Sequence, residues 1–330
     1  MLEPGAAQKA PRNVLVWHVH GSWTQAFVAG AHRYLIPVAA DRGSGGIGLA
    51  GRSWPNAREV ALEELRQCDI DLVVLQRPEE VELLAQWANR RAGVDLPAVY
   101  VEHNAPRPHA ERSRHPLADQ SDIPLIHVTD FNRLMWDNGS APTRVIDHGM
   151  ADPGQLYTGD IPRVAAMINE PVRRGRTVGT DLLQPLSAYG QIDVWGMGTE
   201  ALSSDNGAVI GRGDVAAPQL WTQVARRRVY LHTARWTSLG LSLVEAMFLG
   251  MPVVAVGTTM APFVVPTEAG VVSADVSALG SGVREFLNDH AAAVAAGKAA
   301  REFATARFGL KRFLAQWDDV IDQVIEEQRS

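Results

Sequence analysis

The sequence contains little cysteine, no long apolar run and no excess of positive charge. Its one cysteine, Cys68, cannot form an internal disulfide, and within the run QCDIDLVVL it has the setting of a small core residue. No stretch reaches the roughly 20 apolar residues of a membrane span. Residues 1–12 lack the apolar core of a signal peptide and resemble a loose tail. These features predict a cytoplasmic protein without a transmembrane segment.

The charge balance excludes a nucleic-acid partner. The chain has 31 Lys and Arg residues against 37 Asp and Glu residues, which gives a formal net charge of -6. Affinity for nucleic acid comes chiefly from clustered Lys and Arg, so we expect no such partner. No amphipathic basic helix argues for membrane docking, although peripheral membrane contact stays open.

What the sequence does contain is an alternation of short Val- and Ile-rich runs with longer amphipathic stretches. Such alternation predicts an α/β fold of parallel strands joined by helices. The two halves each resemble one doubly wound, Rossmann-like unit, so we expect two domains that face each other across a cleft. Because periodicity is lost between Gly149 and Pro162, a boundary is expected near residue 158. The predicted domains are residues 1–158 and 159–310, followed by a terminal helix at 311–330.

The individual elements follow from the same pattern. In the first half, strands are predicted at Asn13 to Val19, Asp71 to Gln76, Ala98 to Glu102, Leu125 to Val128 and Arg144 to Asp147. In the second half they are predicted at Val164 to Ile168, Ile192 to Trp195, Val229 to His232 and Pro252 to Val256. The clearest helices are Leu239 to Leu249 and Lys311 to Glu326, each with apolar residues at helical spacing.

Two strand ends in the first half are candidate ligand contacts. In WHVHGSW, a strand runs into Gly21 and Ser22 before a helix, where backbone N–H groups attract anions; an ordinary Ser-capped turn is the alternative. His18 and His20 alternate faces, so both cannot point at one site. In VYVEHNAP, His103 follows a buried strand, at the edge where parallel sheets bind ligands; a surface histidine is the alternative.

The segment NEPVRRGRTVGTDLL follows the first strand of the second half. Guanidinium groups grip diphosphate oxygens in bidentate fashion, so we expect one or two of Arg173, Arg174 and Arg176 to bind phosphate. A solvated basic loop is the alternative interpretation.

Two further patterns imitate cofactor and metal motifs. GMGTEA, from Gly196 to Ala201, matches G-x-G-x-x-A but follows the second strand of its domain, and no acidic residue ends a strand about 20 residues later. Asp69 and Asp71 form a D-x-D that leads into the strand DLVVL and is expected to cap it. We therefore predict no nicotinamide cofactor and no metal site.

The most informative segment is HTARWTSLGLSLVEAMFLGMPVVAV. A strand ends near His232, a Ser-Leu-Gly turn opens a helix, and Glu245 lies within that helix among apolar residues. Carboxylates accept hydrogen bonds from vicinal diols, and a buried carboxylate needs such a partner. Glu245 is therefore a candidate ribose anchor, with an exposed helical glutamate as the alternative.

This segment resembles the C-terminal signature of family-4 glycosyltransferases of the GT-B fold, roughly E-G-x-G-L-x-x-x-E-A-M-x-x-G-x-P-V-V. The matching residues are Gly240, Leu241, Glu245, Ala246, Met247, Gly250, Pro252, Val253 and Val254. VEHN and VIDHGMAD also resemble family elements, and the terminal helix resembles the one that crosses back to the first domain in this fold.

The resemblance implies retaining transfer from a UDP- or GDP-linked sugar in carbohydrate biosynthesis, without a cofactor or bound metal. The implied catalytic residue is His103. The implied donor contacts are Glu245 on the ribose, Arg173 or Arg174 on the diphosphate, and Thr237, Ser238, Leu239, Gly240, Leu241 and Gly198. The implied acceptor-side residues are Gly21, Ser22 and Asn104. The acceptor itself is unknown.

Two departures from the family pattern keep other functions open. The family's first glutamate falls on Thr237, and Val178 stands where a lysine usually precedes Gly-x-Asp. A non-catalytic nucleotide-sugar-binding protein is one alternative. A sugar-nucleotide epimerase of the same fold is another, although it would need additional acid and base carboxylates. The third alternative, an NAD-dependent oxidoreductase, is supported only by the GMGTEA segment.

Overall fold

A computed structural model of the chain describes residues 10–107, 109–202 and 207–329, so residues 1–9 of the predicted tail lie outside the described residues. The chain divides into two compact units. Unit 1 comprises residues 1–150 and 310–330, and unit 2 comprises residues 151–309. Within the described part, no helix is both long and apolar enough to cross a membrane.

The strands, in chain order, are β1 (Asn13–Val16), β2 (Arg33–Val38), β3 (Ala57–Ala61), β4 (Leu72–Leu75), β5 (Ala98–Glu102), β6 (Leu125–His127), β7 (Thr143–Val145), β8 (Ile161–Met167), β9 (Ile192–Trp195), β10 (Val209–Gly213), β11 (Arg227–His232), β12 (Val253–Val256) and β13 (Gly270–Ser273). The α-helices are α1 (Gly21–Phe27), α2 (Glu79–Ala88), α3 (Asp130–Met135), α4 (Pro171–Arg174), α5 (Leu183–Leu186), α6 (Ala217–Ala225), α7 (Leu241–Leu249), α8 (Ala261–Val264), α9 (Val276–Asn288), α10 (His290–Phe308) and α11 (Leu310–Arg329). Short 3-10 turns lie at Leu62–Gln67, Gly175–Thr177, Thr180–Leu182, Thr199–Leu202 and Thr267–Ala269.

Unit 1 is built on a parallel sheet in the order β3-β2-β1-β4-β5-β6-β7. Its central strands are buried on both faces, which is why β4 reads LVVL without alternation. One face packs on α1 and on the apolar stripe of α11, where the Trp317 ring contacts both Trp23 and Phe27. The other face packs on the 3-10 turn at Leu62–Gln67 and on α2. The last helix of the chain therefore completes the core of unit 1.

Unit 2 is a second parallel sheet in the order β10-β9-β8-β11-β12-β13. Its core includes the inner residues of β8, β11 and β12 together with residues of α9 and α10. The α/β fold with two Rossmann-like parallel-sheet domains is confirmed. In both units the central strand (β1 or β8) lies where the strand order reverses, and ligands of open α/β sheets bind beyond the carboxyl ends of strands at such positions.

All nine strands predicted from the sequence are present, with ends that differ by a few residues. The strands that the pattern missed are β2, β3, β10 and β13. Of these, β3, β10 and β13 lie at sheet edges, where half-exposed residues break the apolar run. The β2 strand contains Pro37, which lowers its strand propensity.

The division between the units lies before the boundary that the sequence placed near residue 158. Residues 151–158 belong to unit 2 because they are hydrogen-bonded to it. The Tyr157 backbone N–H donates to Leu249 O at 3.0 Å, its hydroxyl donates to Arg228 O at 2.8 Å, and Asp152 pairs with Arg301 at 2.7 Å.

Candidate active site

Three histidines meet at the carboxyl edge of the unit 1 sheet. His20 follows β1, His103 follows β5 and His148 follows β7. The ring of His103 lies 4.1 Å from that of His20 and 6.3 Å from that of His148, measured between centroids. The ring of Trp23, in α1, packs perpendicular to that of His103, with 5.1 Å between centroids. The predicted catalytic residue thus belongs to a compact imidazole cluster.

A buried glutamine fixes the orientation of His103. The Gln76 side chain, at the end of β4, donates from Nε2 to Trp17 O at 2.6 Å, so its Oε1 faces Nε2 of His103 at 3.0 Å. An amide oxygen only accepts, so the network assigns the His103 hydrogen to Nε2. The Nδ1 atom of His103 therefore carries the free lone pair and can accept a hydrogen bond from a hydroxyl group.

Burial keeps these imidazoles neutral. It lowers the pKa of His103 well below its usual value, and the neighbouring His20 and His148 lower it further. Burial and the proximity of His20 lower the pKa of His148 to about 4. The pKa of His20 is lowered chiefly by burial, with Glu102 opposing the shift. At neutral pH the cluster is therefore a hydrogen-bonding surface and not a cationic one.

Glu102 holds the turn that carries His103 and Asn104. One carboxylate oxygen accepts from the Asn104 backbone N–H at 2.6 Å, and the other lies 3.3 Å from Nε2 of His115. Because Leu117 N donates to Nδ1 of His115 at 3.0 Å, the His115 hydrogen lies on Nε2 and faces Glu102. The turn leaves the Asn104 side chain exposed, and the predicted acceptor-side residue Asn104 is adjacent to the histidine cluster.

The predicted contacts Gly21 and Ser22 are the first two residues of α1. His18 and His20 point to different groups, although both lie beyond the end of β1 and so do not owe this to alternation along a strand. His20 faces His103, whereas Nδ1 of His18 donates to Gly48 O at 3.0 Å and its ring packs on Trp54 at 4.9 Å. The His20 backbone carbonyl accepts from Thr24 N at 2.8 Å and begins the helix.

In unit 2, Glu245 lies in the middle of α7, which begins just after the carboxyl end of β11. Its carboxylate is partly buried, and burial raises its pKa to about 7. Among the residues that the structure describes, it has no hydrogen-bond or ion-pair partner. Tyr230 is near enough for the Glu245 charge to raise the pKa of its hydroxyl, which donates to Ser242 Oγ at 3.0 Å. A desolvated carboxylate without a cation favours a ligand that brings hydrogen-bond donors.

The turn before α7 contains buried polar groups that are available to a ligand. The hydroxyl oxygens of Thr237 and Ser238 are buried and have no hydrogen-bond partner within the described chain. Gly240 precedes the helix without a side-chain cap. A Cβ atom on Gly240 would lie 2.5 Å from Cε1 of the His232 ring, so only glycine lets the turn approach β11 this closely. The Leu239 side chain is buried, and Leu241 is the first helical residue.

The predicted phosphate contacts Arg173 and Arg174 lie in α4, which follows β8. The Arg173 side chain is 69% exposed and forms an ion pair with Glu170, whose backbone has a left-handed conformation with φ of 52°. Arg174 donates its backbone N–H to Glu170 O at 2.9 Å. Arg176 pairs instead with Asp181 at 2.8 Å, in the loop behind α4. The positive charges of Arg173 and Arg174 both lower the pKa of the Glu170 carboxylate, with Arg173 making the larger contribution.

The loop behind α4 is joined to the loop that leads to Thr237. Thr177 O accepts from the backbone N–H groups of Arg235 and Trp236 at 2.9 and 3.2 Å. The Arg235 guanidinium makes two hydrogen bonds to Asp181, at 2.6 and 3.0 Å. The loops after the neighbouring strands β8 and β11 are therefore held together.

The GMGTEA segment has no helix of the dinucleotide-binding kind. It follows β9, and its second half lies in the 3-10 turn Thr199–Leu202, the last element described before residues 203–206. Gly198 has φ of 72° and open space around its Cα. Asp69 and Asp71 both bind Asn13, through its side-chain amide at 3.1 Å and its backbone N–H at 2.7 Å. Over the described ranges, no cluster of three or more His, Cys, Asp or Glu side chains could hold a metal ion.

Several site residues were missed by sequence reasoning. Gln76, His20 and His232 lie at or after the carboxyl end of a buried strand, the same signal that selected His103. His148 follows β7, an edge strand whose residues are only partly buried or exposed. The ring of His232 is buried, which lowers its pKa to about 4. Strand ends alone do not say which polar side chain faces which neighbour, since that depends on loops that cross the edge.

Comparisons with known proteins agree with this architecture. Residues 201–303, within unit 2, match the family described as glycosyl transferases group 1. The sequence matches no curated protein. Sucrose-phosphate synthase from Thermosynechococcus elongatus superposes with a TM-score of 0.72 at 16% identity, over 96% of this chain and 100% of that one. Anabaena HepE in complex with UDP and glucose superposes with a TM-score of 0.69 at 16% identity, over 94% and 100%.

A third structure aligns over a smaller share of both chains. A TarM mutant from S. aureus, in a complex that includes UDP, has a TM-score of 0.58 at 14% identity, over 76% of this chain and 55% of its own. At such identities the likeness shows the fold alone, and the match to residues 201–303 adds support for a glycosyltransferase. The chain therefore has the GT-B fold, and its unit 2 carries a region similar to glycosyl transferases group 1.

Proposed function

We propose that this protein transfers a sugar from a nucleoside-diphosphate sugar, UDP-linked in the first instance, to an acceptor hydroxyl, with retention at the anomeric carbon and without a metal or other cofactor. The observation that carries the proposal is Glu245, a desolvated carboxylate without a cation partner inside the described residues, in a helix within the matched family region. The ribose diol of a nucleotide supplies the two donors that such a carboxylate lacks.

The choice of UDP rests on the structural neighbours. HepE is described in complexes with UDP and with UDP-glucose, and pneumococcal GtfA in a complex with UDP and GlcNAc. We assign the diphosphate to Arg173 or Arg174 and to the turn from Thr237 to Leu241. The hydroxyls of Thr237 and Ser238 have no hydrogen-bond partner among the described residues and can donate to phosphate or sugar oxygens. Exposed arginines change rotamer readily, so Arg173 can exchange Glu170 for a phosphate.

In the proposed reaction, the bond between the anomeric carbon and the diphosphate oxygen breaks, and the acceptor oxygen bonds to the same face of that carbon. The acceptor proton leaves with the diphosphate. His103 is assigned to the reacting sugar, because its neutral Nδ1 can accept a hydrogen bond from a sugar hydroxyl at the carboxyl edge of unit 1. Stabilisation of the departing diphosphate supplies the largest share of the rate.

The test is calorimetric titration of the protein with UDP, GDP and NAD, each with EDTA and with magnesium. Wild type should bind UDP without magnesium, and Glu245→Ala should weaken UDP binding by about tenfold or more, since it removes two hydrogen bonds to a charged acceptor. Glu285→Ala is the matched control, because Glu285 is an exposed helical glutamate of the same unit. Equal affinity in Glu245→Ala and wild type would contradict the assignment of Glu245.

Transfer itself is tested by UDP release from UDP-sugars. His103→Ala should lower turnover more than UDP affinity, because His103 is assigned to the sugar and not to the nucleotide. UDP binding without any release would favour the non-catalytic alternative that Thr237 keeps open.

A further inference from the structure

Arg52 is a guanidinium group without a partner, at the carboxyl edge of the unit 1 sheet. Its side chain is exposed, and within residues 10–107, 109–202 and 207–329 it makes no ion pair or side-chain hydrogen bond. Arg42, in the same loop, pairs with Glu59 at 2.9 Å, and Arg77 pairs with Glu80 at 2.7 Å. The cation of Arg52 is thus available to an external anion.

The loop that carries Arg52 is pinned at several points. Trp17 Nε1 donates to Gly45 O at 3.0 Å, His18 Nδ1 donates to Gly48 O at 3.0 Å, and Leu49 N donates to the Glu59 carboxylate at 2.8 Å. Arg52 N closes a turn on Leu49 O at 3.1 Å. The turn holds Ala50 in the left-handed region with φ of 48°, a strained conformation that persists only where the surroundings impose it.

This turn places the Arg52 guanidinium over Gly21, a predicted acceptor-side residue. The position that a Cβ atom on Gly21 would take lies 3.2 Å from Nη2 of Arg52 and 3.7 Å from Nε2 of His18. Glycine leaves that space open. Because His18 donates from Nδ1 to Gly48 O, its Nε2 carries a lone pair and accepts. The space beside Gly21 is therefore bordered by one cationic donor and one neutral acceptor.

We propose that the acceptor carries an oxyanion, a phosphate or a carboxylate, which Arg52 binds beside Gly21, while Nε2 of His18 accepts a hydrogen bond from an adjacent hydroxyl. A guanidinium fork suits a planar or tetrahedral oxyanion, and the neutral imidazole suits a sugar or polyol hydroxyl. The inference rests on the proposed transfer function and names the class of its acceptor: a hydroxylated compound with a negatively charged group.

The experiment measures binding of four probes by calorimetry: glucose, glucose 6-phosphate, glucuronate and UDP. The proteins are wild type, Arg52→Gln and the control Arg58→Gln. Arg58 is an exposed arginine near the amino end of β3 in the same unit, and it has no ion pair with any residue that the structure describes. Wild type should bind glucose 6-phosphate or glucuronate at least about tenfold more tightly than glucose. If glucose 6-phosphate binds more tightly, the acceptor's charged group is a phosphate; if glucuronate does, it is a carboxylate.

Arg52→Gln should lose that preference, whereas Arg58→Gln should keep it, and UDP affinity should be the same in all three proteins. An equal loss in Arg58→Gln would overturn the proposal, because the effect would then be general attraction of anions. A loss of UDP affinity in Arg52→Gln would also overturn it, since Arg52 would then serve the donor diphosphate. Failure of the transfer function shows separately, as absence of UDP binding and of UDP release in wild type.

Discussion

The side-chain oxygen of Gln76 lies 3.0 Å from Nε2 of His103, and both side chains are buried. Gln76 is held in turn by its bond to Trp17 O, so it cannot rotate to present its amide nitrogen to the histidine. This pair fixes which atom of His103 is free to meet a substrate.

Replacing Gln76 with leucine should therefore lower turnover by about tenfold or more while UDP affinity is unchanged. The substitution leaves the buried His103 N–H without an acceptor, which costs about 1–3 kcal/mol and frees the ring to change tautomer. The measurements are turnover, UDP affinity and the nitrogen NMR shifts of His103, which report the tautomer. Gln219→Leu, at an exposed position of α6, is the control. An unchanged tautomer in Gln76→Leu would contradict the role given to Gln76.

Donor affinity should rise with pH through neutrality. Burial raises the pKa of Glu245 to about 7 in the ligand-free protein, and only the ionised carboxylate accepts both hydroxyls of a diol. Between pH 6 and pH 8 the ionised fraction grows about tenfold, so the dissociation constant of UDP should fall by up to about tenfold. Calorimetry at several pH values measures this. Glu245→Gln should bind UDP weakly, with a flatter pH profile; a steep profile in that variant would assign the titration to another group.

The same carboxylate should cost stability at alkaline pH. The folded pKa of Glu245 lies above its ordinary value of 4.5, so the unfolded state releases its proton first as pH rises. Stability from this group is fully present below about pH 4.5 and is lost as pH rises through about 7. Glu245→Gln should consequently melt a few degrees above wild type at pH 8, and the difference should shrink towards pH 5. Glu285→Gln should show no such trend, and a constant difference would argue against burial as the cause.

Gly240→Ala should displace the turn before α7. The added methyl group would lie 2.5 Å from Cε1 of His232, a distance at which the ring or the turn must shift. Overpacking of this kind costs about 1–3 kcal/mol, and we expect a lower melting temperature with weaker UDP binding. The double variant Gly240→Ala, His232→Ala should recover part of the stability, because the removed ring makes room for the methyl group. If the double variant is no more stable than Gly240→Ala, the contact with the His232 ring is not the source of the strain.

Much of the fold is readable from the sequence because central parallel strands are buried on both faces. The segments that form β4 and β12 consist only of Val, Leu and Ala. They can therefore be assigned as strands without knowing which strands they pair with. The edge strands β3 and β13 carry polar or half-exposed residues, and only tertiary pairing reveals them.

The sequence selects His103 because it follows a buried strand and Glu245 because it lies within an apolar helix, and their roles remain predictions. The structure places His103 just after β5 and Glu245 in the middle of α7. The Gln76 bond to His103 joins residues 27 positions apart, and Arg52 reaches Gly21 through a loop pinned by hydrogen bonds. Contacts of this kind depend on which loops cross a sheet edge, and residue periodicity carries no information about that.

The position of α11 has a consequence for how the protein is made. Its residues Phe313 and Trp317 lie inside the core of unit 1, yet they are translated after the whole of unit 2. On the ribosome, unit 2 can fold as a continuous segment, while one face of the unit 1 sheet is covered only in part, by α1, until α11 has been made. Unit 1 is thus started before unit 2 but completed after it, and until then the apolar residues that α11 covers are exposed to aggregation.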